Sequence, residues 1–120
     1  MIEIFKTFTF DAAHHLGTIM PAPHPYARMH GHSFSATIFV RGTPDPQTGW
    51  LMDFAELDKA LQAVRDEIDH HFLNDIRGLE QPTLEVLTRW IWNRLKPDVP
   101  LLHRITVTRG TLGEGCTFEG

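Results

Sequence analysis

The chain has 120 residues, 42 % of them hydrophobic and 22 % charged, and a formal net charge of −4. That is the composition of a soluble globular protein, and residues 1–120 are expected to form one domain. No basic block is present, no apolar run is long enough to span a bilayer, and the single cysteine, Cys116, excludes an internal disulfide. These features argue against nucleic acid and membrane as partners. The first residues also lack the pattern of a secretory leader, so the expected location is the cytoplasm.

The segment "IEIFKTFTF" alternates, with Ile2, Ile4, Lys6, Phe8 and Phe10 on one face and Glu3, Phe5, Thr7 and Thr9 on the other. This predicts a strand over 2–10. "DAAHHL" follows, and then "GTIMPAPHPYARMHG", whose prolines and glycines mark a long loop of the kind that is usually functional or disordered. From His32 the alternation resumes, with His32, Phe34, Ala36, Ile38 and Val40 opposed to Ser33, Ser35, Thr37, Phe39 and Arg41, a second strand. "GTPDPQTG" is a turn region.

The stretch from Asp53 to Leu73 reads as a helix, because Phe54, Leu57, Leu61, Val64 and Ile68 recur at steps of three and four. Asp53 and Glu56 resemble a capping box at its start. "NDIRGLEQP" interrupts it, and "TLEVLTRWIWNRLK" predicts a second helix with Leu87, Ile91 and Leu95 on its stripe and Pro97 as its stop. "HRITVTRG" alternates as a third strand, and "GEGCTFEG" supplies a turn and a short fourth strand. The order ββααββ gives an α+β fold in which two amphipathic helices cover one face of a four-stranded sheet. Phe5 and Phe39 fall on the other face and hint at packing between subunits.

Eight histidines are the outlying feature: His14, His15, His24, His30, His32, His70, His71 and His103. Residues i and i+2 of a strand point to the same side, so His30 and His32 form a two-toothed chelate if strand geometry begins by His30. A catalytic zinc takes three protein ligands and keeps a fourth position open. His14, at the rim of the neighbouring strand, is the choice for the third ligand, and His15 competes with it. The plainer alternative is a polar loop tip without metal. In "DEIDHHFLND", Asp69 can orient the imidazole of His70 as a proton carrier if the helix ends there. A solvated helix C-terminus, where histidine suits the carbonyl end, explains the same residues and is the stronger reading from spacing alone. Thr83 and Glu85 have the look of a helix cap and first turn.

Taken in series, "FDAAHHL", "HGHSF", "GWLMDFAEL", "DHHFLND", "PTLEVLTRWIW" and "GEGCTFEG" resemble the 6-pyruvoyl-tetrahydropterin synthase family, and more closely the 6-carboxytetrahydropterin synthases of queuosine biosynthesis. The resemblance covers nearly the whole chain in order. It implies the T-fold, self-association into trimers and then hexamers, and a lyase acting on the small-molecule pterin 7,8-dihydroneopterin triphosphate. It also implies a Zn2+ ion held by His14, His30 and His32, a proton-moving pair Asp69 and His70, and pterin contacts from Thr83 and Glu85.

Two positions depart from the family pattern. Tyr26 stands where the family carries its catalytic cysteine, and a phenol is the weaker acid by more than one unit of ordinary pKa. Gly110 stands where the family carries the glutamate that anchors the pterin, with Glu114 four residues later as the substitute. The departures raise two alternatives to the leading reading. One is a paralogue acting on a different pterin or purine-derived substrate, and the other is a non-catalytic zinc- and pterin-binding module.

Overall fold

The computed structural model describes all residues, 1–120. Two long strands, β1 (Ile2–His14) and β2 (His30–Gly42), pair antiparallel over their whole length. Helices α1 (Phe54–Ile68) and α2 (Leu84–Leu95) follow, and β3 (Leu102–Arg109) and β4 (Glu114–Glu119) complete a sheet of order β1-β2-β3-β4, antiparallel throughout. This is the α+β arrangement that the alternation and the two helical stripes lead to. No helix is long and apolar enough to cross a membrane.

Alternation decides which face is buried. Phe8, Phe10 and Ala12 of β1, Phe34, Ala36, Ile38 and Val40 of β2, and Ile105 and Val107 of β3 point to one side. They meet Leu57, Leu61, Val64 and Ile68 of α1, which lies over β1, and Leu84, Leu87, Ile91 and Leu95 of α2, which lies over β3 and β4. Removal of this apolar area from water is the main force that seats both helices. The opposite face is polar over most of its area. Thr7 meets Thr37 at 2.9 Å and Thr106 meets Thr117 at 2.8 Å through their hydroxyls. Phe5 and Phe39 pair there with ring centroids 5.8 Å apart, and the Arg104 guanidinium covers Phe39.

Three boundaries differ from the sequence reading, and each difference builds the site. First, β1 extends to His14 rather than ending at Phe10, because Asp11, Ala12 and Ala13 find partners in Ser33, His32 and Gly31, and this ladder overrides their weak strand preference. Second, β2 begins at His30, directly opposite His14. Third, α1 ends at Ile68 instead of continuing to Leu73. Asp69 is its extended C-cap, and β1 draws the chain away from helical geometry: the His70 N–H donates to the Asp11 carbonyl at 2.7 Å, and the Asp11 N–H donates to Asp69 Oδ1 at 3.0 Å. His70 takes φ +58°, the left-handed region that a non-glycine residue occupies only under such constraint.

Candidate metal centre and active site

His14, His30 and His32 sit at one end of the core-facing side of the sheet, where the apolar stripe of β1 and β2 gives way to imidazoles. Pairing of His14 with His30, and of Ala12 with His32, brings the three rings together. Their centroids lie 4.6 to 5.0 Å apart, and one potential ligand atom from each falls within 4.8 Å of the other two. His15, the competitor, points elsewhere: its Nδ1 accepts the Gly17 N–H at 3.0 Å, and Asn74 holds its backbone on both sides.

Main-chain carbonyls orient two of the rings. His14 Nδ1 is 2.9 Å from the Pro82 carbonyl and His30 Nδ1 is 2.8 Å from the Arg28 carbonyl. A carbonyl only accepts, so both Nδ1 atoms carry the proton and both Nε2 atoms keep their lone pairs. Those two Nε2 atoms are buried and have no hydrogen-bond partner. His32 Nε2 faces Arg109 Nη1 at 3.4 Å and is likewise an acceptor. Three inward-facing nitrogen lone pairs, two of them orphaned in a buried setting, fit a metal that takes imidazole ligands, and an orphaned buried acceptor is otherwise costly. Burial favours the neutral form that ligation needs in two of the rings: His14, 1 % exposed, is lowered to about 4, mainly by loss of solvent. His32 is lowered by burial and then by the Arg109 charge.

A cleft of about 830 Å³ opens beside the cluster, within the range of small-molecule sites. Its walls include Asp11, His32, Ser33, His70 and Phe72, with Thr111 and Leu112 from the β3–β4 turn. His70 carries a 77 % exposed side chain on this cleft, and its Nδ1 lies 2.9 Å from Asp69 Oδ2. Asp69 is held from the other sides by the Asp11 N–H and by Arg65, whose Nη2 is 3.2 Å away. The Asp11 N–H and the His70 ring together hold the Asp69 carboxyl below the ordinary carboxylate range. The segment is a helix end, with Asp69 as the C-cap of α1, and because α1 stops one residue before Asp69 the carboxylate also meets the His70 ring.

The remaining singled-out residues fall in several places. Tyr26 lies in a short 3-10 turn with its ring stacked on His30, centroids 5.6 Å apart, on the side away from the cleft. Thr83 caps α2 through the Val86 N–H at 3.2 Å, next to the Pro82 carbonyl that orients His14. Glu85 is exposed and lines a separate recess with Gly78, Arg89 and Trp90, so within one chain it does not share the cleft with the histidines. Gly110 is exposed in the β3–β4 turn, where a side chain would meet nothing. Glu114 stands opposite Arg109 across the β3–β4 ladder, 3.2 Å from its guanidinium.

Arg109 went unnoticed in the sequence. The available signal was parity, since it follows Ile105 and Val107 on the core-facing side, where a cation has no reason to be unless something there receives it. Asp11 and Ser33 are joined at 2.6 Å on the cleft wall; the sequence reading ends the first strand before Asp11 and leaves Ser33 as an ordinary residue of the second.

A four-stranded antiparallel sheet with two helices on one face, carrying a three-histidine cluster at its rim, defines a protein of the T-fold class. The comparisons agree. The family model described as 6-pyruvoyl tetrahydropterin synthase matches residues 3–120. The chain is 40 % identical to a 6-carboxy-5,6,7,8-tetrahydropterin synthase of Synechocystis sp., over 95 % of this chain and 87 % of that protein. It is 34 % identical to a dihydroneopterin monophosphate aldolase of Pyrococcus furiosus, over 97 % and 92 %. The solved 6-pyruvoyl tetrahydropterin synthase of Caenorhabditis elegans superposes with a TM-score of 0.89 at 25 % identity, covering 99 % of this chain and 95 % of that one. The chain belongs to the 6-pyruvoyl tetrahydropterin synthase family.

Proposed function

We propose that the chain is a zinc-dependent pterin lyase, with 7,8-dihydroneopterin triphosphate as the leading substrate. The observation that carries the reading is the convergence of three imidazoles, two of them with orphaned Nε2 atoms, beside a cleft that also holds a carboxylate-oriented imidazole. His14, His30 and His32 would hold the zinc. When bound, zinc supplies Lewis acidity that makes a side-chain hydroxyl of the substrate easier to deprotonate. Asp69 accepts the Nδ1–H of His70, which leaves Nε2 of that exposed ring as the atom that takes and returns a proton. Thr83, Glu85, Glu114 and Tyr26 are the proposed substrate contacts. Because Glu85 stands apart from the cleft, its contact would be made to a pterin lying at a neighbouring subunit. β1 and β4 are the unpaired sheet edges through which a trimer, and from it a hexamer, would close.

A second reading has its own support. Similarity to an aldolase extends over nearly the whole chain, and Tyr26 is not a thiol. Cleavage of the bond between the first two side-chain carbons of a dihydroneopterin phosphate asks only for a proton to leave the second hydroxyl. The electron pair passes into the dihydropterin ring, and a proton then returns to the first carbon. No oxidant is consumed.

The zinc-loaded protein incubated with 7,8-dihydroneopterin triphosphate, and separately with the monophosphate, tests both readings by product mass. Release of inorganic triphosphate with a pyruvoyl or carboxy pterin establishes the synthase. A hydroxymethyl pterin with a two-carbon aldehyde phosphate establishes the aldolase. No product from either substrate leaves the binding module.

A further inference from the structure

Arg109 is a cation directed at a cluster expected to bind a cation. Its side chain is 12 % exposed, and its Nη1 lies 3.4 Å from His32 Nε2. Its Nε is buried without a hydrogen-bond partner, near Glu114 Oε1 but not aligned with it. The residue cannot easily be elsewhere, because strand alternation after Ile105 and Val107 sends it to the core-facing side.

An imidazole Nε2 has one lone pair, so a guanidinium N–H and a metal cannot both use it. Guanidinium stays charged at any ordinary pH, and it repels a divalent ion placed a few ångströms away. We propose that Arg109 and the metal exclude each other at His32 Nε2, and that Arg109, once released, grips an anionic oxygen of the ligand lying over the metal. The inference rests on the metal-site reading above. The residues allow the movement: Glu114 opposite Arg109 acts as a pivot for the Nε side, and Thr111 and Leu112, just beyond it in the chain, already line the cleft. Released in that direction, the guanidinium presents its two-pronged edge, which matches a carboxylate or a phosphate.

Cobalt(II) titration of the full chain, followed by visible absorption against a competing chelator, tests the first half. Arg109→Met is expected to bind cobalt about tenfold more tightly than the parent protein, equivalent to about 1.4 kcal/mol. Titration of the cobalt-loaded protein with acetate and with methyl phosphate tests the second half. The parent protein is expected to respond to one of them at a concentration at least about tenfold lower than Arg109→Met does, and the one that responds names the carboxylate or the phosphate. Arg109→Lys keeps the charge and loses the fork. It is expected to bind cobalt like the parent but the anion more weakly. If circular dichroism shows that Arg109→Met is unfolded, Arg109→Lys carries the anion half of the test, and Arg109→Gln, which removes the charge, carries the cobalt half with the same expectation of about tenfold.

Equal cobalt affinity in parent and Arg109→Met overturns the exclusion. A response to the anions that is absent in the parent, or equal in parent, Met and Lys proteins, overturns the anion grip. Failure of both the parent and the variant to bind cobalt overturns the metal reading itself, a result distinct from equal, measurable affinities.

Discussion

The molecule holds histidines in two contrasting ways within one cleft region. The cluster of His14, His30 and His32 is part of the sheet's packed face, and main-chain carbonyls orient two of its rings. His70 projects from a strained corner after α1, is mostly exposed, and is oriented by a carboxylate. A neutral carbonyl fixes a tautomer without favouring charge on the ring, whereas a carboxylate also stabilises the imidazolium. Under the proposed function the same side chain serves as a fixed neutral donor in one place and a reversible proton carrier in the other. Burial reinforces the division, because charging His14 has no solvent to support it, while the His70 side chain is 77 % exposed.

The largest expected effect comes from breaking the neutral site. His32→Ala removes one of the three ligands, and metal analysis after dialysis should find no stoichiometric zinc and an assay no turnover. Turnover retained without zinc would take the metal out of the mechanism. Next, Asp69→Asn keeps the shape of the residue and the bond from the Asp11 N–H but removes the charge facing His70. kcat should fall by about 10²–10⁴-fold with zinc content and circular dichroism unchanged. A parallel loss of zinc would show that the two sites are not independent.

Acid separates the two sites thermodynamically. The folded pKa of His14 is depressed to about 4 from 6.5, so between these values the unfolded chain binds a proton that the folded chain does not. Stability of the metal-free protein therefore rises with pH through this window, and lowering the pH from 7 to 4 should cost up to about 3 kcal/mol, read from urea midpoints at each pH. In His14→Gln that part of the slope should vanish. Asp69 acts in the same direction but in a lower window: its folded pKa is depressed below 3.8, so its contribution is present above that value and lost as the pH falls further. Tyr26→Phe is the mildest change. The ring should stay on His30, zinc content should be unchanged, and KM should rise by no more than about tenfold, the worth of one hydrogen bond to a neutral group.

Much of the neutral site was legible because it follows from strand parity. His30 and His32 had to share a face once β2 was seen to alternate, and His14 joined them as soon as β1 and β2 were taken as neighbours. The proton-carrying site was harder to read. Helical spacing ran through Asp69 without a break, and only contacts with β1, 58 residues away for Asp11, stop the helix at Ile68. The orienting carbonyls of Pro82 and Arg28 were invisible for a different reason, since a backbone group has no letter of its own. Arg109 was legible in principle, as a charge on the wrong side of an alternating strand. Glu85 was placed by resemblance to the family, and a single chain shows it on another surface.

The bonds from Pro82 and Arg28 carry a consequence for how such a scaffold can diversify. A carbonyl is unaffected by the identity of the side chain on its own residue, so substitutions at those two positions leave the ring orientations intact as long as the backbone path is kept. The cleft wall itself is drawn largely by side chains, among them Asp11, Ser33, His70 and Thr111. A lineage can therefore rewrite what the cleft accepts, letter by letter, while the part that presents imidazole to a metal is inherited through the chain path alone.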